Sequence, residues 1–266
     1  MAYFPQLDGG TSVQLPLRYW RRFEAGLLER EDGGAIVVSG ATRGEHGWDL
    51  QYRGLRGAEA DRLVAFFSAR QGRLLPFGFL DPVRNLLAWS EDLTKAHWQR
   101  DALIQVLSGA AGPAGMGTAQ TVLNSGQAVQ SVWQTLPVPG IYRFAMSVFL
   151  RSGAADVVRL WAENSGVRSW LAVEPGASWG RFEFPVEPGG TEEITRFGME
   201  LEPGAAVEVF GVQLEPQGGA GPYKRSAARQ GVYVQARFDM DEILLSAEGK
   251  DSFGARVRIV AREGAE

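Results

Sequence analysis

The chain is cut into short lengths. Thirty-four Gly and 13 Pro interrupt it. Between them lie short segments, rich in Val, Phe, Tyr and Trp, that alternate apolar and polar residues. Glycine admits positive φ, and proline fixes φ and removes an amide donor, so both punctuate regular elements rather than continue them. Alternation with period two puts one set of side chains on each face of a strand. Such a chain is expected to build a mainly β fold with many turns. Apolar residues make up 45% and charged residues 22% of the 266, which allows a real core in one large domain or two ordinary ones.

The alternating segments are densest in the middle. Strands are predicted over 127–136, 141–151, 157–163, 169–173, 180–186, 195–201 and 206–215. In the second, Tyr142, Phe144, Met146, Val148 and Leu150 take one face and Arg143, Ala145, Ser147, Phe149 and Arg151 the other. A run of short strands of this kind predicts a β-sandwich, or jelly roll. Residues 109–117 (GAAGPAGMG) read as a loop and 217–221 (QGGAG) as a linker.

The ends of the chain read differently. Strands are expected at 35–39 and 48–53. In the second, Trp48, Leu50 and Tyr52 share one face, and Asp49, Gln51 and Arg53 the other. A helix is predicted over 58–71, where Ala60, Leu63, Val64 and Phe67 form one apolar stripe. Glu59 and Asp61 in its first turn and Arg70 in its last suit the helix dipole, and Gly72 is a natural stop. A strand-like segment follows at 74–80. Alternation returns with Val232, Val234, Ala236 and Phe238, then with Ala255, Val257 and Ile259. Two strands and a turn bury too little to stand alone, so their expected partner is 1–83. The expected organisation is a split β-barrel or sandwich domain with one α-helix, 1–84 plus 222–266, carrying an inserted β-sandwich over 85–221. The stretch 66–93 holds the passage from one to the other.

Reactive chemistry is sparse. The absence of cysteine removes disulfides, thiol nucleophiles and thiolate metal sites. His46 and His97 are the only histidines, too few for a multi-histidine metal site, and His97 beside Trp98 reads as a packed or surface residue. G-x-S-x-G and H-E-x-x-H are missing, and Lys250 follows Gly249 but precedes Asp251, which breaks the phosphate-loop pattern. The acid pairs Asp239/Asp241, Glu91/Asp92 and Glu192/Glu193 read as solvated carboxylates. No enzyme, no catalytic residue and no cofactor is expected. A structural Ca²⁺ near Glu91 or Glu215 would need about six to eight oxygen ligands, and no dedicated loop supplies them. The net charge of −4 gives no basic excess for nucleic acid or an anionic membrane. The opening MAYFPQLDGG lacks a signal-peptide pattern, and no apolar run reaches membrane-spanning length, so synthesis in the cytoplasm is expected.

Tryptophan is the residue type that points to a ligand. Trp89, Trp98, Trp133, Trp161, Trp170 and Trp179 all fall in the middle region. Flat aromatic faces stack on sugar rings while neighbouring polar groups fix the hydroxyls. Tryptophan also fills sandwich cores. Trp161 and Trp170 are the expected exposed, carbohydrate-binding pair: Trp161 ends the segment VVRLW beside the polar Glu163, Asn164 and Ser165, and Trp170 lies just beyond.

Two sets of residues resemble known families. WDLQYRGL followed by ADRLVAFFSARQGRLLPFGFLDP, over 48–82, and ARFDMDEI, over 236–243, are similar to the β-domain of phage distal tail proteins and of gene-transfer-agent tail proteins. NLLAWSEDL at 85–93, PGIYRFAMSVFLRSG at 139–153 and VFGVQLEPQGGAGPYKRS at 209–226 resemble carbohydrate-binding-like jelly rolls of phage tail proteins. The resemblance implies a structural virion component at the tail tip, or baseplate. It would form a ring, most often a hexamer, between tail tube protein and tip hub protein. An outward insert would serve host recognition by binding surface polysaccharide. It implies no catalytic residues. The competing expectations are a stand-alone carbohydrate-binding protein and, behind it, a polysaccharide-degrading enzyme, which would need two convergent acids that no motif nominates.

Overall fold

The computed structural model describes residues 1–23, 25–29, 34–39, 44–113, 115–154, 156–228 and 230–262, with backbone alone for 25–29 and 35–39. The chain is mainly β with one helix. In order come β1 (Arg18–Arg22), β2 (Ala25–Glu29), β3 (Ala35–Ser39), β4 (Glu45–Leu55), α1 (Gly57–Arg70) and β5 (Phe77–Leu80). Then follow β6 (Gln99–Arg100), β7 (Ile104–Ala111), β8 (Thr118–Asn124), β9 (Gln130–Leu136) and β10 (Phe144–Arg151). Next are β11 (Val158–Asn164), β12 (Val167–Val173), β13 (Gly180–Val186), β14 (Thr195–Leu201) and β15 (Ala206–Glu215). The chain closes with β16 (Val232–Phe238), β17 (Leu245–Gly249) and β18 (Ser252–Arg262). It divides into two compact units. One comprises Met1–Leu7, Val13–Phe79 and Tyr233–Glu266, the other Asp8–Ser12 and Leu80–Val232. Among the described residues no helix is long and apolar enough to cross a membrane.

The first unit is built from both ends of the chain. Its sheet runs β1-β4-β18-β16-β5, with β17 paired to β18. Trp48, Leu50 and Tyr52 all turn to the buried face of β4. The antiparallel register sets Ile259 beside Trp48 and Val257 beside Leu50. Helix α1 lays Ala60, Leu63 and Phe67 on this face, and Phe67 meets Phe238 edge-on at 4.9 Å. The Arg56 amide donates to Glu59 Oε2 at 3.0 Å, satisfying one open donor at the helix start. The helix stops one residue earlier than predicted: Gln71 already takes the left-handed conformation, with φ 52°. The turn then uses the amides of Leu74 and Leu75, which donate to Gln71 and Arg70, so the strand predicted from 74 begins only at Phe77. On the other face of β4, Asp49 accepts two bonds from Arg256 at 2.8 and 2.5 Å. That hydrogen bonding outweighs burial and holds its carboxyl below the usual range.

The second unit is a sandwich of two five-stranded antiparallel sheets, β13-β10-β15-β8-β7 and β12-β11-β14-β9-β6. The chain passes repeatedly from one sheet to the other, as a jelly roll does. Phe144, Met146, Val148 and Leu150 from one sheet and Leu160, Phe197, Met199 and Leu201 from the other are all fully buried. Phe144 and Phe197 touch across the gap, with ring centres 5.1 Å apart. The segment read as a loop at 109–117 is partly strand, because β7 runs through Gly109 (φ 111°) at a register shift and ends at Ala111. The segment read as a linker at 217–221 folds back on its own unit: the Gly221 amide donates to Glu215 Oε2 at 2.7 Å.

Candidate functional site

Alternation decides which side chains leave the core. Along β11, Val158, Leu160 and Ala162 point inward, so Arg159, Trp161 and Glu163 occupy the outer face. Register then carries one row across the whole sheet. Trp170 lies opposite Trp161, Trp161 opposite Gly198, Gly198 opposite Trp133, and Trp133 opposite Gln99. With strands about 4.8 Å apart, the row spans roughly 19 Å. Gly198 is required where it stands. A Cβ there would meet the Val132 carbonyl at 2.4 Å and Trp133 Cβ at 2.6 Å. With no side chain between them, the rings of Trp133 and Trp161 come to 6.3 Å.

The row is unevenly open. Trp170 is 57% exposed and Trp161 1%. The expectation that both are exposed therefore holds for Trp170 and fails for Trp161. Trp161 does point away from the core. However, Arg168, paired across the strands with Glu163, lays its guanidinium 4.1 Å above the ring. A long arginine stem covers aromatic surface while its charged head stays wet. The indole nitrogens of Trp161 and Trp133 are buried without a hydrogen-bond partner.

Charged groups frame the row. Arg168 pairs with Glu163 at 2.8 Å and Glu200 at 3.2 Å, and Arg196 pairs with Glu163 at 3.2 Å. Arg159 pairs with Glu202 at 2.6 Å and Glu200 at 3.3 Å, and lies 5.7 Å from the Trp170 ring. Its hydrogen bond to Glu202, with Glu200 adding, raises the guanidinium pKa further. Each surface pair contributes little alone, in the range of about 0–1 kcal/mol. Together they hold donors and acceptors in fixed places around an aromatic strip. Chemically, such an arrangement can stack on a flat, weakly polar ring and hydrogen-bond hydroxyls at its edge.

The opposite outer face is covered over β10 and β15. Tyr223 packs on Phe210 and Phe149, with ring centres at 5.6 and 6.3 Å. Arg181 donates to Ser147 Oγ at 2.9 Å and to the Gly221 carbonyl at 2.6 Å. Glu215, fully buried, accepts from Lys224, from Gln213 at 2.6 Å and from the Gly221 amide. Burial pushes the Tyr223 phenol up.

The remaining candidates disperse. Asp239 lies near Arg258 at 3.9 Å and Asp241 pairs with Arg73 at 2.9 Å. His97 is exposed, and Trp98 is buried, donating to the Trp89 carbonyl at 3.1 Å. Among the described residues no group of three or more His, Cys, Asp or Glu could hold a metal ion. The sequence reading missed Trp133, Gly198 and Arg168 as partners of one row. Only strand register brings them together, and a single sequence carries no signal for it.

No protein-family model and no curated protein sequence matches the chain. Among solved structures, the enzymatically active domain of tailspike protein 4 from bacteriophage CBA120 is similar at 10% identity and TM-score 0.42, over 52% of this chain and 22% of that one. TmCBM61, in complex with β-1,4-galactotriose, is similar at 15% identity and TM-score 0.40, over 49% of this chain and 97% of that one. The CBM22-1 xylan-binding domain of Paenibacillus barcinonensis Xyn10C is similar at 11% identity and TM-score 0.39, over 52% and 94%.

Proposed function

We propose that this chain is a non-enzymatic structural protein of a phage tail whose sandwich binds a surface polysaccharide. The observation that carries the glycan half is the open row led by Trp170, framed by the Arg–Glu network. Its exposed ring, with fixed donors and acceptors beside it, offers an open stacking surface rather than a closed pocket. Weak binding per copy gains from repetition in a ring. The tail half rests on the resemblance to distal tail proteins. Its support is that Trp48, Tyr52, Phe67, Phe77, Phe79 and Phe238, which lie in the resembling segments, all belong to one buried core. In this reading the protein joins tail tube to tail tip as a ring of its own copies.

The test of the glycan half uses the intact protein and its Trp170→Ala variant on an array of bacterial envelope polysaccharides. The wild type is expected to bind at least one of them and the variant to lose about tenfold or more, the scale of one stacking contact. Binding to none, or equal binding by both, overturns it. Particle images of the purified protein with tail tube protein test the ring; monomers alone under those conditions overturn that half.

A further inference from the structure

We infer that the sandwich carries a second binding site, a small cleft that takes a single neutral sugar ring. It is built on the opposite sheet from the tryptophan row and does not depend on the reading of that row. The cleft has a volume of about 270 Å³, just below the usual range of about 300–1,000 Å³ for small-molecule sites. Its lining includes Trp89, Glu91 and Asp92, Ser108 of β7, Gln120 of β8, and Arg225.

The walls are fixed before any ligand arrives. The Trp89 amide donates to the Ala227 carbonyl at 2.9 Å, and the Ser226 amide to Ser90 Oγ at 2.9 Å. Gln120 accepts from the Leu93 amide at 2.6 Å and donates to Asp92 at 3.2 Å and Ser108 at 3.3 Å. Trp89 itself is held at φ 50°, a conformation that a bulky residue adopts at a cost of about 1–2 kcal/mol. A rigid wall binds without an ordering cost.

The lining selects the ligand class. Each carboxylate already has a cation: Glu91 with Arg225 at 3.1 Å and Asp92 with Lys95 at 3.4 Å. The charges balance, so neither a cation nor an anion is favoured. What the cleft offers is an indole wall with the Lys95 ammonium 5.0 Å from its ring, the lone pairs that Glu91 and Asp92 keep beyond their bonds from Tyr223, Thr94 and Gln120, and hydroxyl and guanidinium donors. Burial pushes Asp92 up, but hydrogen bonds from Thr94, Gln120 and Lys95 outweigh it, so the carboxyl titrates below its usual range and accepts at neutral pH. A pyranose ring has the matching features: an apolar face of C–H groups and a rim of hydroxyls.

Saturation-transfer NMR on the intact protein, with the methyl glycosides of glucose, galactose, mannose and N-acetylglucosamine as probes, tests this. At least one glycoside is expected to receive transfer. Ser108→Trp, at an exposed strand position, fills the cleft and should abolish that transfer. Asp92→Asn should weaken it about tenfold, and all measurements are made in the Trp170→Ala background so that the tryptophan row contributes no transfer. Unaltered circular dichroism of the variants separates loss of the site from loss of the fold. Transfer to none of the probes, or transfer kept by Ser108→Trp, overturns the proposal.

Discussion

The two outer faces of the sandwich use the same materials to opposite ends. Each carries aromatic rings, arginines and glutamates. On the β13-β10-β15-β8-β7 sheet the chain returns over its own face, so that Tyr223 covers Phe149 and Phe210 and Lys224 neutralises the buried Glu215. On the β12-β11-β14-β9-β6 sheet the charges pair sideways among themselves, and Trp170 stays 57% exposed. Where it is covered, over β10 and β15, the first face turns its polar groups inward as structure. An uncovered one keeps its aromatic surface for something outside the chain.

The largest effect that separates the faces is expected at Glu215. Glu215→Ala removes a buried acceptor, strands the Gly221 amide, and leaves the Lys224 ammonium with the Pro82 carbonyl and the Gln213 amide with the Pro222 carbonyl in place of a carboxylate. Breaking one side of a buried ion pair costs about 3–5 kcal/mol. A urea titration should show that loss, while Glu163→Ala on the open face should cost under about 1 kcal/mol. Equal losses at the two sites would erase the distinction between a roofed face and an open one.

The next effect sits within the open face. Gly198→Ala places a methyl group 2.4 Å from the Val132 carbonyl. Backbone must shift, at about 1–3 kcal/mol. The rings of Trp133 and Trp161, now 6.3 Å apart, should separate, and the near-ultraviolet circular dichroism of the tryptophans should fall. An unchanged spectrum at unchanged stability would mean that Gly198 does not organise the row.

Legibility in the sequence follows the size of side chains. The predicted segments 180–186, 195–201 and 206–215 coincide with β13, β14 and β15, because Phe182, Phe184, Phe197, Met199 and Val209 mark an apolar period of two. Strands β7 and β8 escaped because their apolar residues are confined to one end, IQVL and VL, the remainder, SGAA and TAQT, being small or polar. Of the two proposed sugar-stacking residues, Trp170 stands exposed within the strand predicted over 169–173, and Trp161 is roofed by Arg168 of the neighbouring strand. Alternation says which face a side chain takes. It says nothing of what lies across the strand, and the row from Trp170 to Gln99 is a cross-strand object throughout.

The smallest expected effect is also the sharpest probe of the open face. Arg168 sits 4.1 Å above Trp161 and is tied to Glu163 and Glu200. Removing it as Arg168→Ala loses a cation–π contact of about 0.5–1 kcal/mol, together with two surface pairs of little net worth. Stability should therefore drop by about 1 kcal/mol. Trp161 would then stand uncovered in line with Trp170, and acrylamide quenching of tryptophan fluorescence should rise. Trp170→Ala alone removes the exposed ring and should lower quenching. In the double variant the two changes should oppose each other. If quenching in Arg168→Ala stays at the wild-type level, the guanidinium is not what shields Trp161, and the open face is narrower than the row of tryptophans implies.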